Sequence, residues 1–254
     1  MGSPFDLGGR IALVTGGGSG LGLAIARALG RAGAAVVLNG RDHARLDAAC
    51  AALTAEGLDA SVQAFDVADE GAVKDGIDAI DRRHGRIDIL VNNAALNRRS
   101  PLEAMTLESW REIQAANVDG PFLVTRAVLP GMKTRRRGKI INICSLAADL
   151  GRARIVAYAT SKGGLRMLTR ALAVEVAPFN IQVNGIVPGF VRTEMNADVM
   201  ADPEFVAWVE RRTPAGRWAD PADIAGSAVF LASQAADYVT GHLLHADGGF
   251  AASY

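Results

Sequence analysis

Residues 11–22 read IALVTGGGSGLG, and this stretch decides the fold. A short apolar run, residues 11–14, ends in a cluster of glycines and then passes into a segment with helical periodicity. A strand, a glycine-rich turn and a helix in this order leave backbone N–H groups at the helix N-terminus pointing outward, where the helix dipole favours an anion. The stretch therefore predicts a phosphate-binding turn between the first strand and the first helix of an α/β sheet.

The same alternation continues along the chain. Further short runs rich in Val and Ile, typical of strands buried on both faces, lie at residues 35–38, 61–65, 87–91, 139–143, 181–186 and 242–245. Helix-period segments lie between them, at residues 20–32, 42–56, 69–84 and 158–177 among others. Sustained alternation predicts a doubly wound parallel sheet of seven strands with helices on both faces. No linker or repeat divides the chain, so we expect a single domain over residues 1–254.

The composition excludes several classes of protein. The 254 residues carry 27 basic and 27 acidic side chains and are 50% hydrophobic, which does not fit a disordered chain. A net charge of zero gives no general attraction to nucleic acid or to an anionic membrane surface, and we expect neither as a partner. No apolar run is long enough for a membrane helix, and no signal peptide is apparent, so we expect a cytoplasmic protein. Two cysteines, Cys50 and Cys144, are too few for a disulfide scaffold, and we expect no metal site.

One stretch lacks the strand pattern. From Pro188 to about Trp218, prolines and glycines punctuate a segment that also contains several aromatic residues. An insertion of this length on a compact domain is typical of a lid or binding loop. We expect a substrate-covering lid at about residues 190–217, and the alternative is a pair of short surface helices that complete the core.

A phosphate-binding turn directly after the first strand is typical of a dinucleotide site. The end of the second predicted strand then indicates which dinucleotide coenzyme binds. No carboxylate stands at Asn39, Gly40 or Arg41, where dinucleotide folds place an acidic residue for the ribose hydroxyls, whereas an arginine there accepts a 2′-phosphate. The sequence therefore favours NADP(H), with NAD(H) as the alternative. Two features weaken the preference: Ser19 adds no positive charge to the glycine loop, and Asp42 could neutralise Arg41.

The third and fourth strands end in polar residues. Asp66 follows the third strand and could accept a hydrogen bond from an adenine amino group. Asn92 and Asn93 end the fourth strand, and for Asn92 we favour a structural role that ties strand ends together.

A second constellation suits proton transfer. Tyr158 and Lys162 are four residues apart on a predicted helix and so share a face, and Ser145 follows the fifth strand. An ammonium beside a phenol favours the phenolate, so we expect Lys162 to lower the pKa of Tyr158 into the range useful for general acid/base catalysis. Ser145 can donate a hydrogen bond to a substrate carbonyl oxygen.

These residues together resemble the short-chain dehydrogenase/reductases over essentially the whole chain. The matching positions are Thr15-Gly16-x3-Gly20-x-Gly22, Asp66, Asn92-Asn93-Ala94, Asn117, Ser145, Tyr158-x3-Lys162, Pro188-Gly189 and Val191-x-Thr193. The resemblance implies a Rossmann fold with sheet order 3-2-1-4-5-6-7, hydride transfer between a nicotinamide and a carbonyl or secondary alcohol, and a homotetramer. One departure is Ala95, where the family usually has glycine.

The resemblance also implies residue roles. Tyr158 would be the acid/base, Lys162 would hold the nicotinamide ribose, Ser145 would polarise the substrate oxygen, and Asn117 would position a water in a proton relay behind Lys162. Val191 and Thr193 would contact the nicotinamide carboxamide. The full coenzyme set would be Gly16, Ser19, Gly20, Leu21, Gly22, Arg41, Asp66, Val67, Asn93, Ala94, Tyr158, Lys162, Pro188, Gly189, Val191 and Thr193.

Within that family, several strings resemble those of bacterial gluconate 5-dehydrogenases. They lie at residues 37–41, 97–99, 142–145 and 212–218. This resemblance favours a sugar acid such as gluconate or 5-ketogluconate, and Arg98 or Arg99, after the fourth strand, could pair with its carboxylate. The alternative is that both are solvated loop arginines.

Two other functions stay open. One is a 3-oxoacyl-[acyl-carrier-protein] reductase, in which Arg135, Arg136 and Arg137 could meet an acidic carrier protein. The other is a nicotinamide-sensing binding protein without activity, a hypothesis that the intact Ser145, Tyr158 and Lys162 disfavour.

Overall fold

The structure, a computed structural model, describes residues 3–253. Its strands form one parallel sheet in the order β3-β2-β1-β4-β5-β6-β7. Their bounds are β1 Ile11–Val14, β2 Ala35–Leu38, β3 Ala60–Val62, β4 Ile89–Asn92, β5 Gly138–Ile143, β6 Ile181–Pro188 and β7 Leu243–Ala246. The predicted fold class and sheet order are both confirmed.

The helices alternate with the strands as the sequence predicts. Their bounds are α1 Gly20–Arg31, α2 His43–Ala55, α3 Glu70–His84, α4 Leu107–Gln114, α5 Gly120–Arg135, α6 Val156–Val176, α7 Ala197–Met200, α8 Pro203–Arg212 and α9 Pro221–Ala232. Asp42 and Asp69 begin α2 and α3 by accepting hydrogen bonds from the backbone N–H groups of Arg45 and Ala72, both at 3.0 Å.

The core lies on both faces of the sheet because successive strand residues point to opposite sides. Val14 packs with residues of α1, α2 and α9 on one face, whereas Leu13 packs with residues of α3, α5 and α6 on the other. The sheet therefore holds the carboxyl ends of β1, β4, β5 and β6 side by side at one edge.

The helical stretch between β4 and β5 is not continuous. A π-helical turn, Ala115–Asp119, separates α4 from α5. Pro121 has no backbone N–H to donate into a helical ladder, and it lies at the start of α5, where that N–H is not needed. The turn buries Asn117 completely.

The segment after β6 folds as short helices rather than as an open loop. A 3₁₀ turn at Glu194–Asn196 leads into α7 and α8. An aromatic cluster holds the segment against the rest of the protein, and its members are Phe190, Phe205, Trp208, Trp218 and Phe250. None of the helices between residues 3 and 253 has the combination of length and hydropathy that crossing a bilayer requires.

Candidate active site

A cleft of about 890 Å³ opens at the carboxyl edge of the sheet. It begins at the glycine-rich turn after β1, passes the ends of β4 and β5, and is bordered on its far side by residues 188–196 and by Trp208 and Phe250. All of the predicted coenzyme and substrate residues line it, as do Ser145, Tyr158 and Lys162; Asn117 does not.

The glycine-rich turn has the geometry of an anion site. Gly16 has a φ of +62°, and a Cβ on Gly22 would lie 2.2 Å from the carbonyl oxygen of Gly16 and 2.5 Å from Nδ2 of Asn93. Ser19 precedes α1 in extended conformation, makes no side-chain cap hydrogen bond, and is followed by no acidic residue in the first turn. The helix terminus is thus open to an anion, and the turn fits a pyrophosphate.

The side chain of Asn93 stabilises the glycine-rich turn through hydrogen bonds. Its Nδ2 donates to the carbonyl oxygens of Thr15 at 2.9 Å and Gly16 at 3.2 Å, and its backbone N–H donates to Oγ1 of Thr15 at 3.0 Å. The carboxamide therefore braces the turn against the end of β4.

The structural role favoured for Asn92 is confirmed. Its Nδ2 donates to Oδ1 of Asn142 at 2.8 Å and to Oγ1 of Thr125 at 3.1 Å, which ties the ends of β4 and β5 to α5. The side chain is buried below the floor of the cleft.

Arg41 lies at the adenosine end of the cleft, but its partner is not Asp42. Asp42 is the N-cap of α2, and its Oδ2 lies 3.9 Å from Nε of Arg45, so it pairs with Arg45 rather than with Arg41. The nearest carboxylate to Arg41 is that of Asp66, with Nη1 3.6 Å from Oδ2. Arg41 is exposed, and an exposed pair at this distance contributes little, so its guanidinium can turn to an incoming anion.

The structure adds a second arginine that sequence reasoning missed. Arg45, in the first turn of α2, also lines the cleft and places Nη1 3.5 Å from Oγ of Ser19. The same Nη1 donates to Oε2 of Glu194 at 2.8 Å. The glycine loop therefore does have a second positive charge beside it, supplied by α2 rather than by the loop.

At the other end of the cleft, α6 presents Tyr158 and Lys162 from successive turns. Nζ of Lys162 lies 5.7 Å from the centroid of the Tyr158 ring and donates to the carbonyl oxygen of Ile143 at 2.7 Å. Ser145, at the end of β5, accepts a hydrogen bond from the backbone N–H of Ala147 at 3.1 Å, which leaves its hydroxyl proton free to donate. The lysine is buried, with only 2% of its surface exposed.

The pKa values at this end differ from the sequence expectation. Burial raises the pKa of Tyr158, and the Ser145 hydroxyl and the charge of Arg99 only partly oppose this rise. Burial also lowers the pKa of Lys162 to about 8. The prediction that Lys162 lowers the pKa of the phenol is therefore wrong for the protein alone, because the ammonium faces Ile143 and is itself destabilised by burial.

Asn117 acts behind the cleft. Its Oδ1 accepts from the backbone N–H of Leu96 at 2.7 Å, and its Nδ2 donates to the carbonyl oxygen of Leu96 and to Oγ of Ser161, both at 2.9 Å. Ser161 in turn donates to the carbonyl oxygen of Tyr158 at 2.7 Å. The side chain thus joins the loop after β4 to Ser161 in the second turn of α6.

Comparison with known proteins identifies the family. A model of the short-chain dehydrogenase/reductase family, described as enoyl-(acyl carrier protein) reductase, matches residues 16–251. The chain belongs to the short-chain dehydrogenase/reductase family. It is therefore an NAD(P)-dependent oxidoreductase.

Named relatives within this family match nearly the whole chain. A gluconate 5-dehydrogenase of Gluconobacter oxydans is 46% identical over 98% of this chain and 97% of its own length. A 5-keto-D-gluconate 5-reductase of Escherichia coli is 43% identical over 98% of each chain. The crystal structure of a gluconate 5-dehydrogenase from Burkholderia cenocepacia, in complex with NADP and tartrate, has a TM-score of 0.96 and 44% identity, covering 99% of this chain and 98% of that one.

In this short-chain dehydrogenase/reductase, both candidate carboxylate anchors already have protein partners. Nη2 of Arg98 lies 2.7 Å from Oε2 of Glu112 at the protein surface. Arg99 is nearly buried, and its terminal nitrogens contact both carboxylate oxygens of Asp198 and Oδ1 of Asn196. Arg99 therefore fastens the loop after β4 to the segment that contains α7, and its charge is already balanced.

Proposed function

We propose that the protein interconverts gluconate and 5-ketogluconate with NADP(H). The observation that carries the proposal is that Ser145, Tyr158 and Lys162 line one cleft with an open glycine-rich turn, in a chain close to half identical to a gluconate 5-dehydrogenase. Sugar acids are also the substrates in the names of the other relatives described above, which supports the same substrate class.

The coenzyme would lie along the cleft from Arg41 to Thr193. Gly16, Ser19, Gly20, Leu21 and Gly22 would hold the pyrophosphate, Asp66 and Val67 the adenine, and Asn93 and Ala94 the adjoining ribose. Arg41 and Arg45 would bind the 2′-phosphate that distinguishes NADP(H) from NAD(H). Tyr158 and Lys162 would hold the nicotinamide ribose, with Pro188, Gly189, Val191 and Thr193 around the nicotinamide. When bound, the coenzyme supplies or accepts the hydride.

Tyr158 would transfer the proton at the reacting oxygen. Its raised pKa keeps the phenol protonated at neutral pH, which suits donation to the oxygen of a ketone as that oxygen gains negative charge. Ser145 would donate a second hydrogen bond to the same oxygen and so orient the carbonyl. In the oxidation of the alcohol, the phenolate would accept the hydroxyl proton.

Lys162 and Asn117 would support the phenol in different ways. The ammonium of Lys162 has N–H groups beyond the one given to Ile143, and these can hold ribose hydroxyls and relay a proton to solvent. Asn117 would be a positioning residue, because it contacts Ser161, which donates to the backbone carbonyl of Tyr158. We also propose that Asn117 positions a water molecule behind Lys162 as part of the proton relay.

We place residues 190–217 over the substrate as a lid on a single domain. Arg99 and Arg45 fasten the start of this segment across the cleft, which supports a role in closing it. A closed segment would exclude water from the reacting groups.

Assembly and location are further parts of the proposal. A homotetramer is supported by exposed apolar side chains on the long helices, namely Phe122 on α5 and Met167 and Val174 on α6. Light scattering on the purified protein would test it. A cytoplasmic location is supported by the free thiols of Cys50 and Cys144, and cell fractionation would test it.

An assay of reduced nicotinamide absorbance tests the function directly. We expect turnover of gluconate and 5-ketogluconate with NADP(H), and a fall in kcat of about 100- to 10,000-fold for Tyr158→Phe with coenzyme binding retained. Turnover of a 3-oxoacyl thioester and not of 5-ketogluconate would instead establish the acyl-carrier reductase. Coenzyme binding without turnover of either compound would contradict both.

A further inference from the structure

Arg152 is a cleft residue that the sequence motifs do not include. It lies in the loop between Ser145 and α6, and it lines the same cleft as Ser145 and Tyr158. Its guanidinium carbon is 4.6 Å from the centroid of the Phe205 ring and 6.0 Å from that of Phe190. The two rings hold the side chain from the direction of the lid.

Unlike its neighbours, Arg152 has no counter-ion of its own. Arg98 and Arg99 are paired with Glu112 and Asp198, whereas Arg152 forms no ion pair with any residue from Ser3 to Ser253. A half-buried guanidinium that rests on aromatic faces keeps its N–H edge available. Such an edge matches a carboxylate, which can accept two parallel hydrogen bonds from it.

The charges around Arg152 also favour the binding of an anion. Burial lowers the pKa of Arg152, the positive charge of Arg99 lowers it further, and the charge of Asp198 opposes both. Asp198 is already bound by two contacts from Arg99, so it compensates Arg152 only in part. A partly buried positive charge without a full partner is destabilised, and a bound carboxylate would offset part of that cost.

The position suits one end of a sugar acid. Tyr158, Arg99 and Arg152 all line this cleft, so the three groups border a common space. In gluconate the carboxylate and the hydroxyl that reacts at C5 lie towards opposite ends of the carbon chain. An anchor for the carboxylate must therefore be separate from Tyr158 yet share its cavity.

We propose that Arg152 binds the carboxylate of the substrate and so selects sugar acids over neutral polyols and ketoses. This inference rests on the proposed function, from which it takes the substrate class. Arg98 and Arg99, the arginines first considered as carboxylate anchors, are already paired with Glu112 and Asp198. Arg152 has no ion-pair partner among residues 3–253 and is therefore the better candidate.

Two substitutions separate charge from packing. Arg152→Met keeps an unbranched apolar stem against Phe205 but removes the guanidinium, and Arg152→Lys keeps the charge but not the two-pronged edge. Arg154→Ala is the matched control, since Arg154 is an exposed arginine two residues further along the same loop and does not line the cleft.

The measurements are steady-state kinetics with gluconate and with neutral gluconamide, and the Kd of tartrate for the protein saturated with NADP. For Arg152→Met we expect the KM of gluconate and the Kd of tartrate to rise about 10- to 100-fold, as for the loss of a charge-assisted hydrogen-bonded pair. The KM of gluconamide and of NADP should stay unchanged, Arg152→Lys should lie in between, and Arg154→Ala should match the unaltered protein.

Failure of this inference and failure of the proposed function give different results. Unaltered KM and Kd in Arg152→Met, or equal losses with gluconate and gluconamide, would overturn the anchor while leaving the dehydrogenase in place. Tartrate binding that depends on Arg152 in a protein that turns over no sugar acid would uphold the anchor and overturn the proposed function. If Arg152→Met does not fold, the Kd of tartrate for Arg152→Lys tests the proposal instead. A Kd equal to that of the unaltered protein would reject the two-pronged contact.

Discussion

Nη1 of Arg45 lies 2.8 Å from Oε2 of Glu194, and this ion pair joins residues that are 149 positions apart in the sequence. It bridges the first turn of α2 and the 3₁₀ turn Glu194–Asn196 in the segment after β6. The arginine that would bind a 2′-phosphate is thus held by a carboxylate on the opposite side of the cleft, and the two anions would compete for it.

Removal of the negative charge of Glu194 should therefore favour NADP(H). For Glu194→Gln we expect the KM of NADP(H) to fall about threefold to tenfold, since exposed ion pairs contribute about 1 kcal/mol or less and repulsion of the phosphate is also relieved. The KM of NAD(H), which has no phosphate there, should not change. Glu204→Gln is a control on the same segment, and a KM for NADP(H) that rises in Glu194→Gln would contradict the competition.

Arg41 should contribute to the same selectivity. Its contact with Asp66 is long and exposed, so the guanidinium is free to bind the coenzyme. For Arg41→Ala we expect the KM of NADP(H) to rise about tenfold or more, the value of a charge-assisted hydrogen bond, with little effect on NAD(H). Equal effects on both coenzymes, or a clear preference of the unaltered enzyme for NAD(H), would reject this role.

Arg98 and Arg99 form a natural pair of test positions. Arg99→Ala should loosen the segment around Asp198, so we expect faster limited proteolysis at residues 195–202 and a loss of roughly 1–3 kcal/mol in the free energy of unfolding. Arg98→Ala removes only the surface pair with Glu112 and should change both quantities little. Equal behaviour of the two variants would contradict the fastening role of Arg99.

The buried ammonium of Lys162, proposed above to support catalysis, should lower the stability of the protein. Its pKa is about 8 in the folded protein and 10.5 in its ordinary state, so between these values the unfolded chain keeps a proton that the folded protein has released. Stability from this group therefore rises with pH across that interval, and the full cost of the buried charge applies below pH 8.

The variant Lys162→Met should remove that cost and the catalytic activity together. At pH 7 we expect the free energy of unfolding to rise by on the order of 2 kcal/mol after allowance for the lost hydrogen bond to Ile143. Urea unfolding between pH 7 and 10 should also show a shallower rise with pH than in the unaltered protein. An identical pH dependence in both proteins would contradict the lowered pKa.

The sequence predicts the framework because its signals are local. The runs at residues 11–14 and 35–38 coincide with β1 and β2, and the glycine turn lies where the strand–helix unit requires. The third strand ends at Val62 rather than at residue 65, because β3 pairs only with β2, whose pairing with it stops at Leu38. The π-helical turn Ala115–Asp119 has no counterpart in the hydrophobic periodicity of the sequence.

Properties that depend on residues far apart in the chain could not be predicted from the sequence. The direction of the Tyr158 pKa shift follows from its burial, and burial is a property of the assembled cleft and not of the Tyr158–Lys162 spacing. The partners of Arg41 and Arg45 likewise come from other segments, Asp66 and Glu194. Whether Arg98, Arg99 and Arg152 have ion-pair partners within residues 3–253 also depends on where distant acidic residues lie in the fold.

The aromatic cluster has a practical consequence for work with this protein. Phe250 packs on Phe190 and Trp208, with ring centroids 5.3 and 5.9 Å apart, and Arg212 at the end of α8 binds the main chain of Phe250 and Ser253. The last turn of the chain and the helix above the cleft are therefore one mechanical unit. A purification tag fused to the carboxyl end would lie beside this packed unit, so kinetic work is better done on protein tagged at the amino end.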